Sequence, residues 1–161
     1  MNAPAIAWHY TVGKYFEPIV KVGALVPIRT NGAPKKELTV VWLSTELFWE
    51  QTACKAWRNR DGTVMRLDMM KTAEACGGLV RFGVPAGRPG LFTFDDFVSM
   101  SGIPPRHAEH LELEGINQGA TPDRWLVSFD PIPLADCCIE VFDCGGWAPV
   151  RKPGGEVVDV I

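Results

Sequence analysis

Glycine and proline recur along the whole chain, 16 and 13 times respectively among its 161 residues. Both residue types interrupt regular backbone structure, so we expect many short helices and strands joined by turns. No internal repeat, low-complexity tract or long linker separates groups of these elements. The sequence therefore predicts a single domain that spans residues 1–161.

Composition limits the classes of function. Hydrophobic residues make up 47% of the chain, enough for a core that needs no metal or disulfide. The formal net charge is −3, whereas general binding to DNA or to anionic membranes needs a basic excess. No apolar run approaches the roughly 20 residues of a membrane-spanning helix, and the first residues lack the pattern of a secretory signal. We therefore expect a cytoplasmic protein without a membrane partner or general DNA binding.

Hydrophobic spacing predicts the elements of the first third of the chain. Residues 5–11 are apolar and aromatic, which indicates a strand, and a short helix is expected to run from about Phe16 and to end at Gly23. A brief extended segment at 25–28 and a polar loop at 29–37 follow.

The next segment predicts a buried strand that leads into a helix. Residues 38–43 form an apolar run of β-favouring residues. The following Ser44-Thr45-Glu46 can cap a helix that begins near Glu46 and runs to about Trp57. One face of this helix would consist of Leu47, Phe48, Thr52 and Ala56.

Turn residues and periodicity predict the remaining elements. Asp61-Gly62 indicates a turn, and the alternation over residues 78–84 indicates a half-buried strand followed by a loop. Helices are expected at 94–100 and at 105–118, the second with proline in its first turn and Gly119 after its end. Further strands are expected at 124–129, 138–142 and 147–150. The fold class is therefore α+β.

Short motifs in a fixed order resemble those of the ADP-ribosyltransferase superfamily. His9-Tyr10-Thr11 ends the first strand, a helix ends at Gly23, and Trp42-Leu43-Ser44-Thr45 leads from a strand towards a helix. Residues 122–131, Pro-Asp-Arg-Trp-Leu-Val-Ser-Phe-Asp-Pro, resemble the late strand of that fold. The resemblance implies mixed, mostly antiparallel sheets that form a cleft with flanking helices. It also implies that NAD binds in this cleft and donates ADP-ribose to a macromolecule.

The resemblance implies cofactor-binding roles for two strand ends. His9 would hydrogen-bond a ribose hydroxyl, and the backbone of the Tyr10-Thr11 segment would meet the nicotinamide amide. Ser44 and Thr45 would line the cleft from the neighbouring strand. The purely structural alternatives are a partly buried histidine at a strand end and a serine-threonine helix cap.

The resemblance also implies a ring platform and a catalytic carboxylate. Trp49 or Trp42 would stack on a flat ring. Asp123 stands near the place of the family's glutamate and would stabilise positive charge on the ribose, with Glu140 as the second candidate carboxylate. Arg124 has the right charge to bind a phosphate. For Glu140 the structural alternative is an outward-facing residue of a strand.

The whole chain also resembles a group of short bacterial and phage-encoded proteins that carry the His-Tyr-Thr, Trp-Leu-Ser-Thr and Gly-Gly-Leu-Val-Arg-Phe-Gly-Val signatures. This likeness favours a bacterial, phage or mobile-element origin and supplies no activity. There are two alternatives to the transfer of ADP-ribose. One is a non-catalytic protein that binds and inhibits a host protein. The other is an RNA-end or phosphate-processing relative of the same fold, with Arg81 and Arg124 as phosphate ligands.

Two further clusters of residues have the chemistry of a binding site. Trp57 lies among the basic residues Lys55, Arg58, Arg60 and Arg66, a pattern that suits a nucleic acid through phosphate contacts and stacking, or else a solvated helix end. Five cysteines form no Cys-x-x-Cys pair, so they are expected to be thiols and no metal site is predicted. A metal cluster would have to combine Cys137, Cys138 and Cys144 with His107 and His110, although adjacent strand residues point to opposite faces.

Overall fold

Seven antiparallel strands form the central sheet of the computed structural model, which describes residues 5–29 and 38–151. The strands of the described residues are β1 (Ile6–Val12), β2 (Ala24–Leu25), β3 (Val41–Ser44), β4 (Ala56–Arg58), β5 (Val64–Arg66), β6 (Leu79–Pro85), β7 (Leu91–Thr93), β8 (Trp125–Ser128), β9 (Ile132–Pro133), β10 (Cys138–Asp143) and β11 (Gly146–Arg151). The helices are α1 (Phe16–Val22), α2 (Met69–Ala75), α3 (Phe94–Ser101) and α4 (Pro105–Asn117).

The sheet has the strand order β11-β10-β6-β1-β3-β8-β7, with β1 at its centre. Two small pairs, β2 with β9 and β4 with β5, lie outside it. The predicted α+β class and mostly antiparallel sheet are confirmed. The finer assignment to the ADP-ribosyltransferase fold stays a prediction. Among the described residues, no helix is long and apolar enough to span a membrane.

Hydrophobic residues cover both faces of the sheet. Alternate residues of β1 face opposite sides, so Trp8 and Tyr10 join one hydrophobic cluster and Ala7 joins another. The face with Ala7 packs against α1 through Phe16. The opposite face is covered at its β3-β8 end by α3 and α4, and at its β1-β6 end by Trp49 and residues of α2. Burial on both faces explains why the core lies along the central strands.

Local signals predicted several elements correctly. Helix α1 ends at Gly23, which has a φ of 78° that an L-residue rarely adopts. Helix α3 begins with a capping box between Thr93 and Asp96, and α4 begins with Pro105 in its first turn. The predicted strands that correspond to β1, β3, β8, β10 and β11 are also confirmed, as is the turn at Asp61-Gly62.

The predicted helix from Glu46 to Trp57 is wrong. Residues 45–50 form a loop, Gln51–Ala53 form one short 3-10 turn, and the chain then enters β4. An α-helix needs its backbone carbonyls as acceptors for residues four positions later. In this loop, side chains from distant strands donate hydrogen bonds to the backbone carbonyls of Glu46, Leu47 and Phe48, so these carbonyls do not accept helical bonds. The predicted apolar face is also absent, since Leu47 and Phe48 are exposed.

The remaining differences concern burial and short elements. The strand predicted at 78–84 is β6, and it is buried on both faces from Leu79 to Val84 rather than half-buried. The sequence does not predict helix α2 or strands β4, β5, β7 and β9. The predicted loop at 29–37 lies, except for Arg29, outside the described residues.

Candidate functional site

The loop of residues 45–50 is held on the sheet by three side-chain donors. These donors come from β1, β6 and β11, so the loop extends over one face of the sheet from β1 to β11 and passes β10 as well. The bonds are Tyr10 Oη to Glu46 O (2.5 Å), Arg81 Nη1 to Leu47 O (2.7 Å) and Trp147 Nε1 to Phe48 O (2.8 Å). The path of the loop is therefore fixed by long-range contacts.

An ion pair lies beneath this loop. Arg81 is 8% exposed, and its Nε and Nη2 donate to Oε2 of Glu140 at 2.7 and 2.5 Å. The two residues are direct partners across β6 and β10. The guanidinium carbon lies 3.9 Å from the ring centroid of Trp8 and 4.5 Å from that of Trp147. The guanidinium of Arg81 is thus held by Glu140 and by the rings of Trp8 and Trp147. In this position it supports the loop through its bond to Leu47 O.

Tyr10 connects the ion pair to the loop. Its hydroxyl donates to Glu46 O and accepts from Arg81 Nη1 at 3.2 Å. Burial raises the pKa of Tyr10 to about 12, so the hydroxyl keeps its proton at neutral pH. The side chain of Tyr10 is therefore engaged with the loop and with Arg81.

A pocket of about 280 Å³ lies between this loop and the residues that follow the end of α4. It is lined by Glu46, Phe48, Trp49, Glu50, Gln51, Gly119 and Ala120. We call it the loop pocket. The indole of Trp49 is buried, donates to Cys54 Sγ at 3.3 Å and stacks on Trp147. The pocket lining therefore includes two aromatic residues, the buried Trp49 and the exposed Phe48.

Glu50 is the unusual residue of the loop pocket. It is only 8% exposed, and its Oε1 accepts from Thr52 N (3.2 Å) and Thr52 Oγ1 (2.9 Å). Among the described residues, no basic group lies within ion-pair distance of this carboxylate, whereas Glu46 pairs with Arg124 at 3.3 Å. A buried carboxylate without a cation costs folding free energy. The arrangement is suited to a cationic ligand.

Sequence reasoning missed Glu50 because it placed this residue within a helix. The signal that could have identified it is its position. An acidic residue adjacent to a tryptophan, a few residues past the Ser-Thr end of a buried strand, lies where ligands commonly bind.

Several residues with predicted roles gather around the 45–50 loop. Ser44 is buried and its Oγ accepts from Glu46 N at 3.1 Å, which forms a side-chain turn at the start of the loop rather than a helix cap. Thr45 Oγ1 donates to Arg124 O at 3.4 Å, and Arg124 in turn pairs with Glu46. Of the predicted binding residues, Trp49 lines the loop pocket itself.

Other predicted residues lie elsewhere. His9 and Thr11 alternate with Tyr10 along β1 and so face the opposite side of the sheet. His9 Nδ1 is bonded to Trp42 O at 2.8 Å, and its ring lies 6.5 Å from that of Phe82. Asp123 is exposed in the 3-10 turn Pro122–Arg124 and is not part of the pocket lining.

Trp42, the other predicted ring platform, belongs to the aromatic packing beneath α3. Its ring lies 5.0 Å from that of Phe97 and 6.0 Å from that of Trp125. For metals, no group of three His, Cys, Asp or Glu side chains within residues 5–29 and 38–151 could hold an ion.

The environment of His9 makes a pH dependence predictable. Burial lowers the pKa of His9 below its ordinary value of 6.5, so the unfolded chain binds a proton more readily than the folded protein. The free energy of unfolding should therefore fall as the pH drops below about 6.5, by at most about 1.4 kcal/mol per pH unit for this one group. When urea unfolding is measured between pH 7 and 5, the free energy of unfolding should fall less steeply for His9→Gln than for wild type. Equal slopes for both proteins would contradict this prediction.

Comparisons of the chain with protein-family models, with curated proteins and with solved structures find no match. The function must therefore be inferred from the contacts, burial and charge of this chain's own residues.

Proposed function

We propose that the chain binds NAD with the nicotinamide ring in the loop pocket and transfers ADP-ribose to a macromolecule. The observation that carries the proposal is Glu50, a buried acidic residue in the lining of the loop pocket without a basic partner among the described residues. The oxidised nicotinamide ring is planar and carries a positive charge. Such a ring complements both a carboxylate and an aromatic wall.

The size of the loop pocket supports one ring rather than a whole dinucleotide. Its volume of about 280 Å³ lies just below the roughly 300–1,000 Å³ of small-molecule sites. The remainder of NAD would then extend along the protein surface. This arrangement requires positive charge at the pocket rim for the two phosphates.

Two guanidinium groups lie at this rim. Arg124 is partly exposed and pairs with the pocket residue Glu46, and Arg66 Nη2 donates to the backbone oxygen of the pocket residue Gln51 at 2.7 Å. Arginine is well suited to phosphate because its planar fork offers several donors. The assignment of Arg124 to phosphate agrees with the role implied by the sequence resemblance. The resemblance implies no phosphate role for Arg66, which the present proposal adds.

The chemistry assigns a role to Glu50. In ADP-ribose transfer, the bond between the ribosyl carbon of NAD and the nicotinamide nitrogen breaks, and its electron pair leaves with the nicotinamide. An acceptor atom of the target forms a new bond to this carbon. The acceptor atom loses a proton in the same reaction. Positive charge develops on the ribose during this step. A carboxylate held in place, as Glu50 is by its bonds from Thr52, stabilises that charge. Under this proposal Glu50 takes the role predicted for Asp123.

Release of nicotinamide from NAD, with water or lysate components as acceptor, tests the proposal. Glu50→Gln should lower the rate by roughly 100-fold, because removal of one electrostatic stabiliser typically costs that much. Glutamine retains an oxygen that can accept from Thr52, so the 3-10 turn should persist. The matched control is Glu109→Gln, an exposed position on α4 that should leave the rate unchanged.

Two outcomes would overturn the proposal. One is the absence of NAD binding at millimolar concentration, and the other is an equal rate in wild type and Glu50→Gln. Binding without any release would contradict transfer and would favour the non-catalytic alternative.

A further inference from the structure

The hairpin of residues 55–66 projects from the fold as a two-stranded ribbon. All six residues of β4 and β5 are exposed, so neither face of the ribbon is covered. Its base is fixed by Lys55, whose backbone N donates to Thr72 Oγ1 and whose backbone O accepts from Leu67 N. We refer to residues 55–66 as the basic hairpin.

The charge of the basic hairpin is opposite to that of the whole chain. Four basic residues and one acidic residue give it a formal charge of +3, while the chain as a whole carries −3. The single acidic residue, Asp61, is engaged in the turn, because its Oδ1 accepts from Thr63 N and Thr63 Oγ1. These bonds lower the pKa of Asp61 and keep it charged within the turn. The basic residues are Lys55, Arg58, Arg60 and Arg66.

Aromatic rings accompany these cations. Trp57 is 55% exposed and is the cross-strand partner of the exposed Met65, so both lie on one face of the ribbon. At the hairpin base, Lys14 Nζ and Lys55 Nζ lie 5.1 and 5.6 Å from the ring centroid of Tyr15, which is also exposed. An exposed tryptophan costs hydration free energy that a stacked ligand would recover.

We propose that the basic hairpin binds single-stranded nucleic acid. Bases would stack on Trp57 and Tyr15, and the basic side chains would contact the phosphates. A single strand fits better than a duplex, because the bases of a duplex are stacked on one another and cannot reach an exposed indole. A local positive charge in an acidic chain also explains how binding can occur without a basic excess overall.

The basic hairpin is joined to the loop pocket by the bond from Arg66 Nη2 to Gln51 O. A strand bound on the hairpin would therefore lie next to the pocket and could serve as the ADP-ribose acceptor. This last step rests on the proposed function, whereas binding by the hairpin does not.

Fluorescence anisotropy with a labelled oligonucleotide of about 12 nucleotides tests the inference, a length within the range of known single-strand sites. RNA and DNA of the same sequence form separate arms, and a duplex and polyglutamate serve as competing probes. Trp57→Ala should weaken binding of the single strand about tenfold, as loss of one stacking ring typically does. Arg58→Gln with Arg60→Gln should reduce the slope of log K against log salt by roughly 1.4.

Matched controls lie on α4, outside the basic hairpin. Leu113→Ala removes an exposed apolar side chain and Arg106→Gln removes an exposed charge, and both should bind like wild type. The inference would be overturned by equal binding of wild type and Trp57→Ala, or by duplex or polyglutamate binding as tightly as the single strand. Absence of binding to both RNA and DNA in low salt would also overturn it. Retained oligonucleotide binding with no NAD binding would overturn the proposed function alone.

Discussion

Replacing Glu140 by alanine should lower the free energy of unfolding by about 3 kcal/mol, the lower end of the range for breaking a buried ion pair. The variant leaves the guanidinium of Arg81 between two indole rings without its carboxylate. Glu140 is itself 20% exposed, so some water can reach the vacated position, which is why the lower end is expected. Urea unfolding monitored by circular dichroism measures the change.

The matched control for Glu140→Ala is an ion pair near the surface. Asp136 pairs with Arg88 at 2.8 Å, and both side chains are substantially exposed. Asp136→Ala should cost less than about 1 kcal/mol, because solvent screens exposed pairs. A Glu140→Ala variant that loses no more stability than Asp136→Ala would contradict the structural role assigned to the Arg81–Glu140 pair.

Gly83→Ala should destabilise the protein by about 2 kcal/mol, a cost typical of overpacking in a close-packed core. A Cβ at Gly83 would lie 2.5 Å from a ring carbon of Trp8 and 2.7 Å from Cγ2 of Ile6. The indole must then move, although it also lies against the guanidinium of Arg81. The added methyl group therefore disturbs both the sheet and the support of the 45–50 loop.

Gly87→Ala is the control for this substitution. A Cβ at Gly87 meets no atom within 4 Å, and the residue lies in an exposed turn outside the left-handed region. Its stability should stay within about 0.5 kcal/mol of wild type, as for most exposed positions. Urea unfolding of both variants provides the comparison, and equal midpoints would show that the Trp8 ring is not confined as described.

Elements with local start and stop signals could be predicted from the sequence. Helix α1 ends at a glycine, α4 starts at a proline, and β1 is an apolar run with β-favouring residues. Each of these signals acts within a few residues, so no knowledge of the tertiary structure is needed.

The 45–50 loop could not be predicted because its path depends on distant residues. The donors to its carbonyls are Tyr10, Arg81 and Trp147, which lie 36, 34 and 99 positions away from their acceptors. Local propensity favours a helix after Ser44, and these hydrogen bonds override it. The burial of Arg81 also depends on a residue 59 positions away, its partner Glu140.

The candidate site was predicted only in part for the same reason. The sequence resemblance indicated Trp49 and Arg124, which the structure places in and beside the loop pocket. It did not indicate Glu50, whose burial results from the loop that long-range contacts create. Whether NAD binds there stays a prediction, and it depends on the negative charge of this one side chain.

Isothermal titration with NAD⁺ and NADH isolates this charge, because the two dinucleotides differ at the nicotinamide ring, which is cationic only in NAD⁺. A carboxylate about 4 Å from a cation gains roughly 4 kcal/mol of Coulomb energy near a protein surface, and desolvation offsets much of it. We expect wild type to bind NAD⁺ about tenfold more tightly than NADH, equivalent to about 1.4 kcal/mol. In Glu50→Gln the two affinities should become nearly equal. Equal affinities in wild type, or a preference for NAD⁺ that survives Glu50→Gln, would contradict a nicotinamide site at Glu50.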